Sequence, residues 1–419
     1  MLRRSPSALA PTVSALALLA ALGSIAACPT PDDDDDDKKD AGDRPEEHLD
    51  LAVPEELARA LSTDDMNGRD EDSAGGLAAR ALLVGKLQAC GVEPYLSDSF
   101  EQPITTGAGA NLLGAIEGTK SPERIVLLSA HYDHIGAVCG GVCNGALDNA
   151  AAVGAVVATA CAIAAAPLDK TVVIALWDAE EPPTFLTDAM GSQFFVDEAT
   201  TEVLGSIDTA IALDLIGGEL WPGYGSHFIL GADETDALSR ALDTVELPAG
   251  LPVLRGGLHL IEELPGGGRQ PWSDYDAFRN ADVPTLFLSD GQNKQYHEAD
   301  DDADALDFEK LARETLLLTR IVEAIANSTE TFTYDGGGAD LARDRQTLLT
   351  LLDDALAPGG MVDALGLTPT SDGRLQGVRD AVNAESATAP DASVLEGAAL
   401  YVMCLAGSYY SEAQCNTFF

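Results

Sequence analysis

Basic residues are scarce in this 419-residue chain: 24 lysines and arginines stand against 69 aspartates and glutamates, a formal net charge of −45 at pH 7. A field of that sign repels nucleic-acid phosphates and anionic lipid headgroups, so we expect no nucleic-acid partner. Aromatic residues are also few, at 5%, while hydrophobic residues make up 46%. This composition fits an interior of alanine, leucine and valine and does not fit a chain disordered throughout.

Cysteine is sparse as well, with seven residues and no CxxC spacing, so a zinc site built from cysteines is weakly supported. Cys28 belongs to the N-terminal segment, and the six cysteines after it permit three disulfides in many connectivities. The short spacings favour two local pairs, Cys139 with Cys143 and Cys404 with Cys415. Disulfides of this kind require an oxidising compartment.

The first residues have the pattern of an export signal. A cationic "MLRR" precedes an apolar stretch, and "IAAC" at 25–28 resembles the lipobox of bacterial lipoproteins, whose cysteine becomes the lipidated first residue. We expect residues 1–27 to be a lipoprotein signal peptide, with an ordinary secretory signal as the alternative. Residues 28–50 are predicted to be an acidic, disordered tether. The protein is therefore predicted to be exported, in the periplasm or at the cell surface, and anchored to a membrane only through lipid on Cys28.

Helical patterns alternate with short apolar runs from residue 51 onward. Buried strands are predicted at 124–130, 171–177, 209–216 and 284–289, and helices at 75–90, 148–166 and 306–326. An Asp/Asn pair is expected to cap the helix at 148–166. Continuous apolar strands separated by helices predict an α/β fold, with a mostly parallel sheet and helices on both of its faces.

Histidine is rare, with six residues in the chain, yet two of them fall within "SAHYDHIG" at 129–136. Further polar candidates also follow predicted strands. The complete set is His131, Asp133, Asp148, Glu180, Glu181, Asp214 and His297. Open parallel sheets bind ligands at the C-terminal ends of their strands. Imidazoles combined with carboxylates suit Zn²⁺ or a similar divalent ion, so the pattern predicts a metal site.

Each candidate also has a purely structural interpretation. A single histidine such as His131 is more often a hydrogen-bonded core residue than a ligand, and "DAEE" at 178–181 is commonly a solvated turn. His134 is interpreted as a surface or pocket-rim residue. Asp214 is harder to explain in this way, because burying a carboxylate among leucine and isoleucine costs several kcal/mol unless it is paired or bound to metal.

Taken together, these motifs resemble the co-catalytic two-zinc aminopeptidases of metallopeptidase family twenty-eight. The resemblance spans roughly residues 66–327 and includes "LLSAHYDHIG", "GALDNAAAVG", "LDLIGG" and "YHEADDDADALDFE" in the family's order. It implies a zinc-aminopeptidase, phosphorylase/hydrolase-like domain over residues 51–329, with a mixed central sheet. It also implies hydrolysis of the first peptide bond of a substrate that has a free N-terminus.

The resemblance implies two zinc ions per chain, held by five residues. Each ion has two ligands of its own, and an aspartate bridges the pair. By position these are His131 and Asp214 for the first ion, Glu181 and His297 for the second, and Asp148 for the bridge. Because the family's bridging aspartate is commonly followed by a cis peptide, the bond from Asp148 to Asn149 is expected to be cis.

Three further residues are implied to act beside the ions. Glu180 is the implied general base, Asp133 orients His131, and Tyr296 matches a tyrosine that stabilises the developing oxyanion in some members. The chain departs from the common pattern in "PPTFLTDAMGS" at 182–192 and "CGGVCNG" at 139–145, both of which lengthen loops beside the implied ligands. These departures leave the substrate preference open.

Residues 330–419 lie outside the resemblance. Helical spacing at 339–356 and 391–407 predicts a small helical extension that packs against the peptidase domain, with a partner-binding module as the alternative. No chemistry is predicted in it.

Two other functions remain open. Glutaminyl cyclases share the fold and the "HYD", "EE" and "LDLIG" elements as single-zinc transferases, although they usually carry tryptophan where this chain has Tyr296. The other is a non-catalytic surface lipoprotein that keeps the fold for binding. Loss of a ligand position would indicate that function, and every implied position is filled.

Overall fold

The computed structural model describes residues 43–96, 98–263, 268–335 and 339–418. The predicted signal peptide, Cys28 and the tether as far as residue 42 lie outside the described residues. Residues 43–50, the remainder of the predicted tether, pack against the domain: Arg44 pairs with Glu323 at 3.0 Å, and Pro45 is buried. Residues 43–50 thus belong to the packed domain, although the expected boundary was at Leu51.

One sheet of nine strands organises the described residues. Its members are β1 Glu93–Pro94, β2 Glu101–Pro103, β3 Ala110–Ile116, β4 Ser121–His131, β5 Lys170–Trp177, β6 Ile207–Leu213, β7 His227–Leu230, β8 Val253–Gly256 and β9 Thr285–Ser289. The order is β1-β3-β5-β4-β6-β9-β7-β8, and β2 pairs with β3. The central strands β5, β4, β6 and β9 are mutually parallel, whereas β3 and β7 join them antiparallel. The predicted mixed, mostly parallel sheet is confirmed.

Helices cover both faces of this sheet and continue beyond it. They are α1 Val53–Leu61, α2 Ala74–Ala89, α3 Ala151–Ala165, α4 Gly191–Glu198, α5 Thr201–Ser206, α6 Asp236–Asp243, α7 His259–Glu262, α8 Tyr275–Arg279, α9 Phe308–Ala326, α10 Leu341–Leu356, α11 Met361–Ala364, α12 Pro369–Ala384, α13 Ala392–Ala406 and α14 Glu412–Phe418. In β4, Val126 and Leu128 pack into the layer of α3 and α9, while Ile125 and Leu127 pack into the layer of α4 and α8. Because side chains alternate along a strand, a strand buried on both faces must be apolar throughout.

The apolar helix α3 lies at the centre of one layer, in contact with α1, α9 and the sheet. Among the described residues, the segment Ala146–Ala165 is apolar and long enough to cross a membrane, but 94% of its most apolar window is buried inside the protein. Its composition is therefore that of a core helix. The expected Asp/Asn cap is wrong: α3 begins after Ala150 without a side-chain cap, and Asp148 lies in a non-helical turn before it.

Three disulfides pair the six cysteines of the described region. Cys139 bonds to Cys143 and Cys404 to Cys415, which confirms the two predicted local pairs. The remaining bond joins Cys90 to Cys161 across 71 residues and ties the end of α2 to α3. A bond of that span constrains the unfolded chain most, because it closes the longest loop.

The C-terminal extension packs against the peptidase domain, as predicted. It contains α11, α12 and α14 in addition to the two predicted helices. Leu352 and Val402 of the extension share an apolar cluster with Trp221 and Leu260 of the preceding domain. The extension and the domain therefore belong to one compact unit.

Candidate metal centre

The parallel strands end at one edge of the sheet and deliver polar side chains there. His131 is the last residue of β4, Asp214 directly follows β6, and Glu180 and Glu181 follow β5. His297 lies in the loop after β9. Parallel register places all these strand ends on the same side, and the side chains consequently meet.

Asp148 lies between the two histidines of the set. Its Oδ1 is 3.3 Å from His131 Nε2, and its Oδ2 is 3.2 Å from His297 Nε2. The peptide bond that follows, to Asn149, is cis, as expected. One carboxylate thus presents its two oxygens to two separate groups of donors.

The donors on either side of Asp148 form two groups. On one side, His131 Nε2 is 3.5 Å from Asp214 Oδ1 and 3.9 Å from Glu180 Oε2. On the other side, His297 Nε2 is 3.0 Å from Glu181 Oε2. Within each group the donor atoms lie within 4.8 Å of one another. All five residues implied as zinc ligands are therefore brought together, with Glu180 beside them.

The residues present fit a divalent cation. Four buried atoms of the set have no hydrogen-bond partner in the described structure: His131 Nε2, Asp148 Oδ2, Asp214 Oδ1 and His297 Nε2. Buried polar atoms are almost always paired in native proteins, so four converging atoms without a protein partner fit the coordination of a cation. Nitrogen and carboxylate oxygen are the donor types that zinc takes at hydrolytic sites.

Burial and neighbouring charges together set the pKa values of these side chains. Burial raises the pKa of Glu180 well above its usual range, and it also raises the pKa of Asp214. Burial lowers the pKa of His131, but the charges of Glu180 and Asp214 outweigh it and hold that pKa well above the ordinary value. Among the described residues, the ion-pair partners of the four carboxylates are histidines. The set thus has a surplus of negative charge that a bound cation would neutralise.

Comparison with known proteins agrees with this geometry. A sequence profile of peptidase family M28 matches residues 111–322, about half of the chain. The chain belongs to peptidase family M28. It is accordingly a metallopeptidase, a hydrolase. No curated protein sequence matches the chain.

Solved structures show the same fold as this M28 peptidase. LapB from Legionella pneumophila superposes with a TM-score of 0.53 at 17% identity, over 68% of this chain and 74% of that one. The LapA aminopeptidase of the same organism has a TM-score of 0.53 at 16% identity, over 68% and 74%. The aminopeptidase from Aneurinibacillus sp. strain AM-1 has a TM-score of 0.53 at 12% identity, over 68% and 96%.

His134 is placed differently from the expectation. The interpretation as a surface or rim residue is wrong, because the side chain is fully buried and its Nδ1 lies 2.8 Å from Glu181 Oε1. The loop that carries Asp148 closes over the ring. Gly145 makes this approach possible: its φ is +60°, and a Cβ there would lie 2.6 Å from the His134 ring. In the M28 peptidase, Glu181, an implied ligand, therefore contacts a second imidazole in addition to that of His297.

Asp133 contacts both halves of the site. Its Oδ2 accepts a hydrogen bond from the Glu181 backbone N–H at 3.1 Å, and its Oδ1 is 3.6 Å from His131 Nδ1. The second distance exceeds that of a hydrogen bond, so the two side chains make an electrostatic contact, while His131 Nδ1 lies 3.3 Å from the backbone carbonyl oxygen of Asp133. Orientation of His131 by Asp133 therefore stays a prediction.

Tyr296 stacks on His297, with ring centroids 3.8 Å apart and planes at 16°. Burial raises the pKa of its hydroxyl well above the usual value, so the hydroxyl remains a donor at neutral pH. The position beside a proposed ligand agrees with the implied oxyanion role, which stays a prediction.

Sequence reasoning missed Arg69. Its guanidinium is fully buried and donates to the carbonyl oxygens of Leu61, Tyr132, Asn144 and Gly145. Two of these carbonyls belong to the loop that carries Asp148, and a third follows His131. Arg69 therefore holds the loops of two proposed ligands in register.

Asp301 was also missed. Its carboxylate accepts hydrogen bonds from the backbone N–H groups of Leu147 at 2.7 Å and Asp148 at 3.1 Å. It lies in the "YHEADDDADALDFE" motif, but one aspartate among several in a run has no signal of its own. Arg69 likewise lies in a polar stretch that resembles a surface turn.

Proposed function

We propose that this M28 peptidase is a two-zinc aminopeptidase that hydrolyses the N-terminal peptide bond of its substrates. The observation that carries the proposal is Asp148, whose two oxygens face two donor groups, each headed by a histidine. His131 and Asp214 would hold one ion, Glu181 and His297 the other, and Asp148 would bridge them. The structural neighbours described as aminopeptidases support the substrate class.

Zinc bound there would supply Lewis-acid chemistry, lowering the pKa of water and polarising a carbonyl oxygen. Glu180 is the residue of this chain suited to move the proton, because its carboxylate lies at the site and is not needed as one of the five ligands. It would take a proton from the attacking water and return it to the leaving amine. The surplus of acidic groups would also hold the substrate's free ammonium group.

The surrounding residues keep the donors in place. Arg69 and Asp301 fix the loop of Asp148, while Asp133 fixes the backbone at Glu181. Such support matters because catalytic geometry tolerates errors of only a fraction of an ångström. Tyr296 would contribute a neutral hydroxyl to the developing oxyanion.

The experiment that tests this function combines metal analysis with two assays. We expect the purified chain to bind two zinc ions per molecule and to hydrolyse aminoacyl amides, with no cyclisation of glutaminyl peptides. One tightly held zinc, with cyclisation activity and no second site at saturating zinc, would establish the glutaminyl-cyclase alternative. Two zinc ions with neither activity would favour the non-catalytic alternative.

We also propose that the protein is an exported lipoprotein with lipid on Cys28. The three disulfides support an oxidising compartment, because intracellular proteins rarely keep such bonds. Metabolic labelling with a radioactive fatty acid tests this directly. Label in the wild-type chain and none in Cys28→Ala is the expected result, and equal label in both would contradict it.

A further inference from the structure

We propose that residues 407–411 of the C-terminal extension form one wall of the substrate pocket, where Tyr409 contacts the side chain of the residue that is removed. This inference rests on the proposed aminopeptidase function and assigns a specificity role to a region with no chemistry of its own. The expected ligand is a large apolar or aromatic N-terminal residue.

The first observation is the position of the Tyr409 ring. Its centroid is 5.6 Å from the Tyr296 ring, with the planes at 79°, and 6.5 Å from the His297 ring, with the planes at 86°. These are edge-to-face contacts, the arrangement that aromatic rings prefer. A residue of the extension thus touches a proposed zinc ligand and its tyrosine neighbour.

The second observation is the way the segment is held. The Ser408 hydroxyl donates to the Tyr296 carbonyl at 3.1 Å, and the Lys294 ammonium group donates to the Gly407 carbonyl. The disulfide between Cys404 and Cys415 closes the segment into a loop. The loop is therefore attached at its start to the chain that leads to His297, and its two ends are joined covalently.

The third observation is exposure. Tyr409 is 54% exposed although it contacts a buried centre, whereas Tyr401 of the same extension is fully buried in its apolar cluster. The exposed part of the Tyr409 ring is therefore available for contact with a substrate. Two other loops that leave the centre also present exposed apolar side chains, Val138 at 77% and Leu186 at 42%. An exposed aromatic ring beside a charged centre suits a substrate that has a charged amine and an apolar side chain.

The decisive variant is Tyr409→Ala, with Leu247→Ala as the matched control, since Leu247 is 50% exposed in a loop that contributes no residue to the metal centre. Kinetics would be measured on the phenylalanine, leucine and alanine p-nitroanilides. We expect kcat/KM of Tyr409→Ala to fall about tenfold on phenylalanine and leucine, mainly through KM, and about twofold or less on alanine. Zinc content should not change, and Leu247→Ala should match the wild type.

A second readout does not depend on turnover. Calorimetry would compare the binding of L-phenylalanine and L-alanine to the zinc-loaded wild type and to Tyr409→Ala, and weaker binding of phenylalanine alone is expected. Equal losses on all three substrates, or no loss, would overturn the inference while leaving the aminopeptidase function intact. If the wild type hydrolyses no aminoacyl amide, the proposed function fails, and calorimetry then tests separately whether Tyr409 contributes to the binding of phenylalanine. Equal affinity of the wild type and Tyr409→Ala for phenylalanine, or no binding by either protein, would then contradict the proposed role of Tyr409.

Discussion

Two buried clusters in this chain contain the same kinds of residues but differ in how their charge is balanced. In the metal centre, Asp148, Glu181 and Asp214 face the Nε2 atoms of His131 and His297, which have no hydrogen-bond partner among the described residues. In the second cluster, His227, Asp290 and Glu314 surround the ammonium group of Lys310, which lies 2.8 Å from Asp290 Oδ2 and 3.3 Å from Glu314 Oε1.

The comparison shows which of the two clusters requires an external cation. The histidine and carboxylates of the second cluster also lie close enough together to hold a metal. Lys310 already occupies the position that a cation would take, and it also donates to the Gly218 carbonyl at 2.6 Å. The carboxylates of Asp290 and Glu314 accept hydrogen bonds from the N–H groups of Gly218 and Gly217. This cluster therefore supports the loop that follows Asp214, and the metal centre is the one that needs an ion.

The largest effect is expected from Lys310→Met. Lys310 is almost fully buried, and its loss leaves two buried carboxylates with His227 alone as a cationic partner among the described residues. Breaking a buried pair by removing one partner costs about 3–5 kcal/mol, so the free energy of unfolding should fall by that amount. Urea titration of the zinc-loaded protein measures it.

The matched control is Asp214→Asn in zinc-free protein. The carboxylate of Asp214 is buried there with His131 as its ion-pair partner, and burial raises its pKa, so the substitution should leave the free energy of unfolding unchanged or raise it. A loss as large as that of Lys310→Met would mean that the two clusters are equivalent, which would contradict the comparison.

The next effect separates the two glutamates of the metal centre. Glu180→Gln should lower kcat by a factor on the order of 100 or more with both zinc ions retained, because the amide fills the space but cannot accept the proton. Glu181→Gln should instead weaken one zinc site, since its Oε2 faces His297. Zinc analysis after dialysis, combined with kcat, distinguishes the roles. Equal loss of metal in both variants would show that the assignment is wrong.

The smallest effect concerns a third, partly exposed cluster. His259 of α7 lies 2.9 Å from Asp344 of α10 and 3.0 Å from Glu396 of α13, and it also interacts electrostatically with Asp233. Burial lowers the pKa of His259, but Asp344 and Glu396 outweigh it, and the net pKa is raised. The protonated imidazole of His259 therefore stabilises the folded state, and this contribution is complete below about pH 6.5, the pKa of histidine in the unfolded chain. The contribution is lost as the pH rises through the higher pKa of the folded state.

The measurement compares urea midpoints of the wild type and His259→Gln at several pH values. The stability advantage of the wild type should be on the order of 1 kcal/mol at pH 6 and should shrink as the solution becomes alkaline. Because the other titratable groups are the same in both proteins, their contributions cancel when the two free energies of unfolding are subtracted. An advantage that grew with pH would contradict the assigned sign.

Local patterns were sufficient for much of the fold. Five elements begin and end within a few residues of their predicted bounds: the strands β4, β5 and β9 and the helices α2 and α9. A strand buried on both faces needs a continuous apolar run, and a helix buried on one face needs apolar residues at helical spacing, so both leave a local pattern. The metal centre was predictable for a related reason. Most of its proposed ligands follow strands, and parallel strands bring their ends together whatever the loops between them do.

By itself, the sequence predicted the α/β architecture, a set of polar residues for a metal site and the two local disulfides, and the resemblance to the family implied which five of those residues are the proposed ligands. Only the tertiary structure decided the burial of His134, the four carbonyl contacts of Arg69, the bond from Cys90 to Cys161 and the contact of Tyr409 with His297. The physical reason is the distance along the chain over which a local pattern carries information. Periodicity and spacing report on neighbours along the chain, whereas these features join segments that come together only when the layers pack, and a polar residue has the same local pattern whether it faces water or a buried partner.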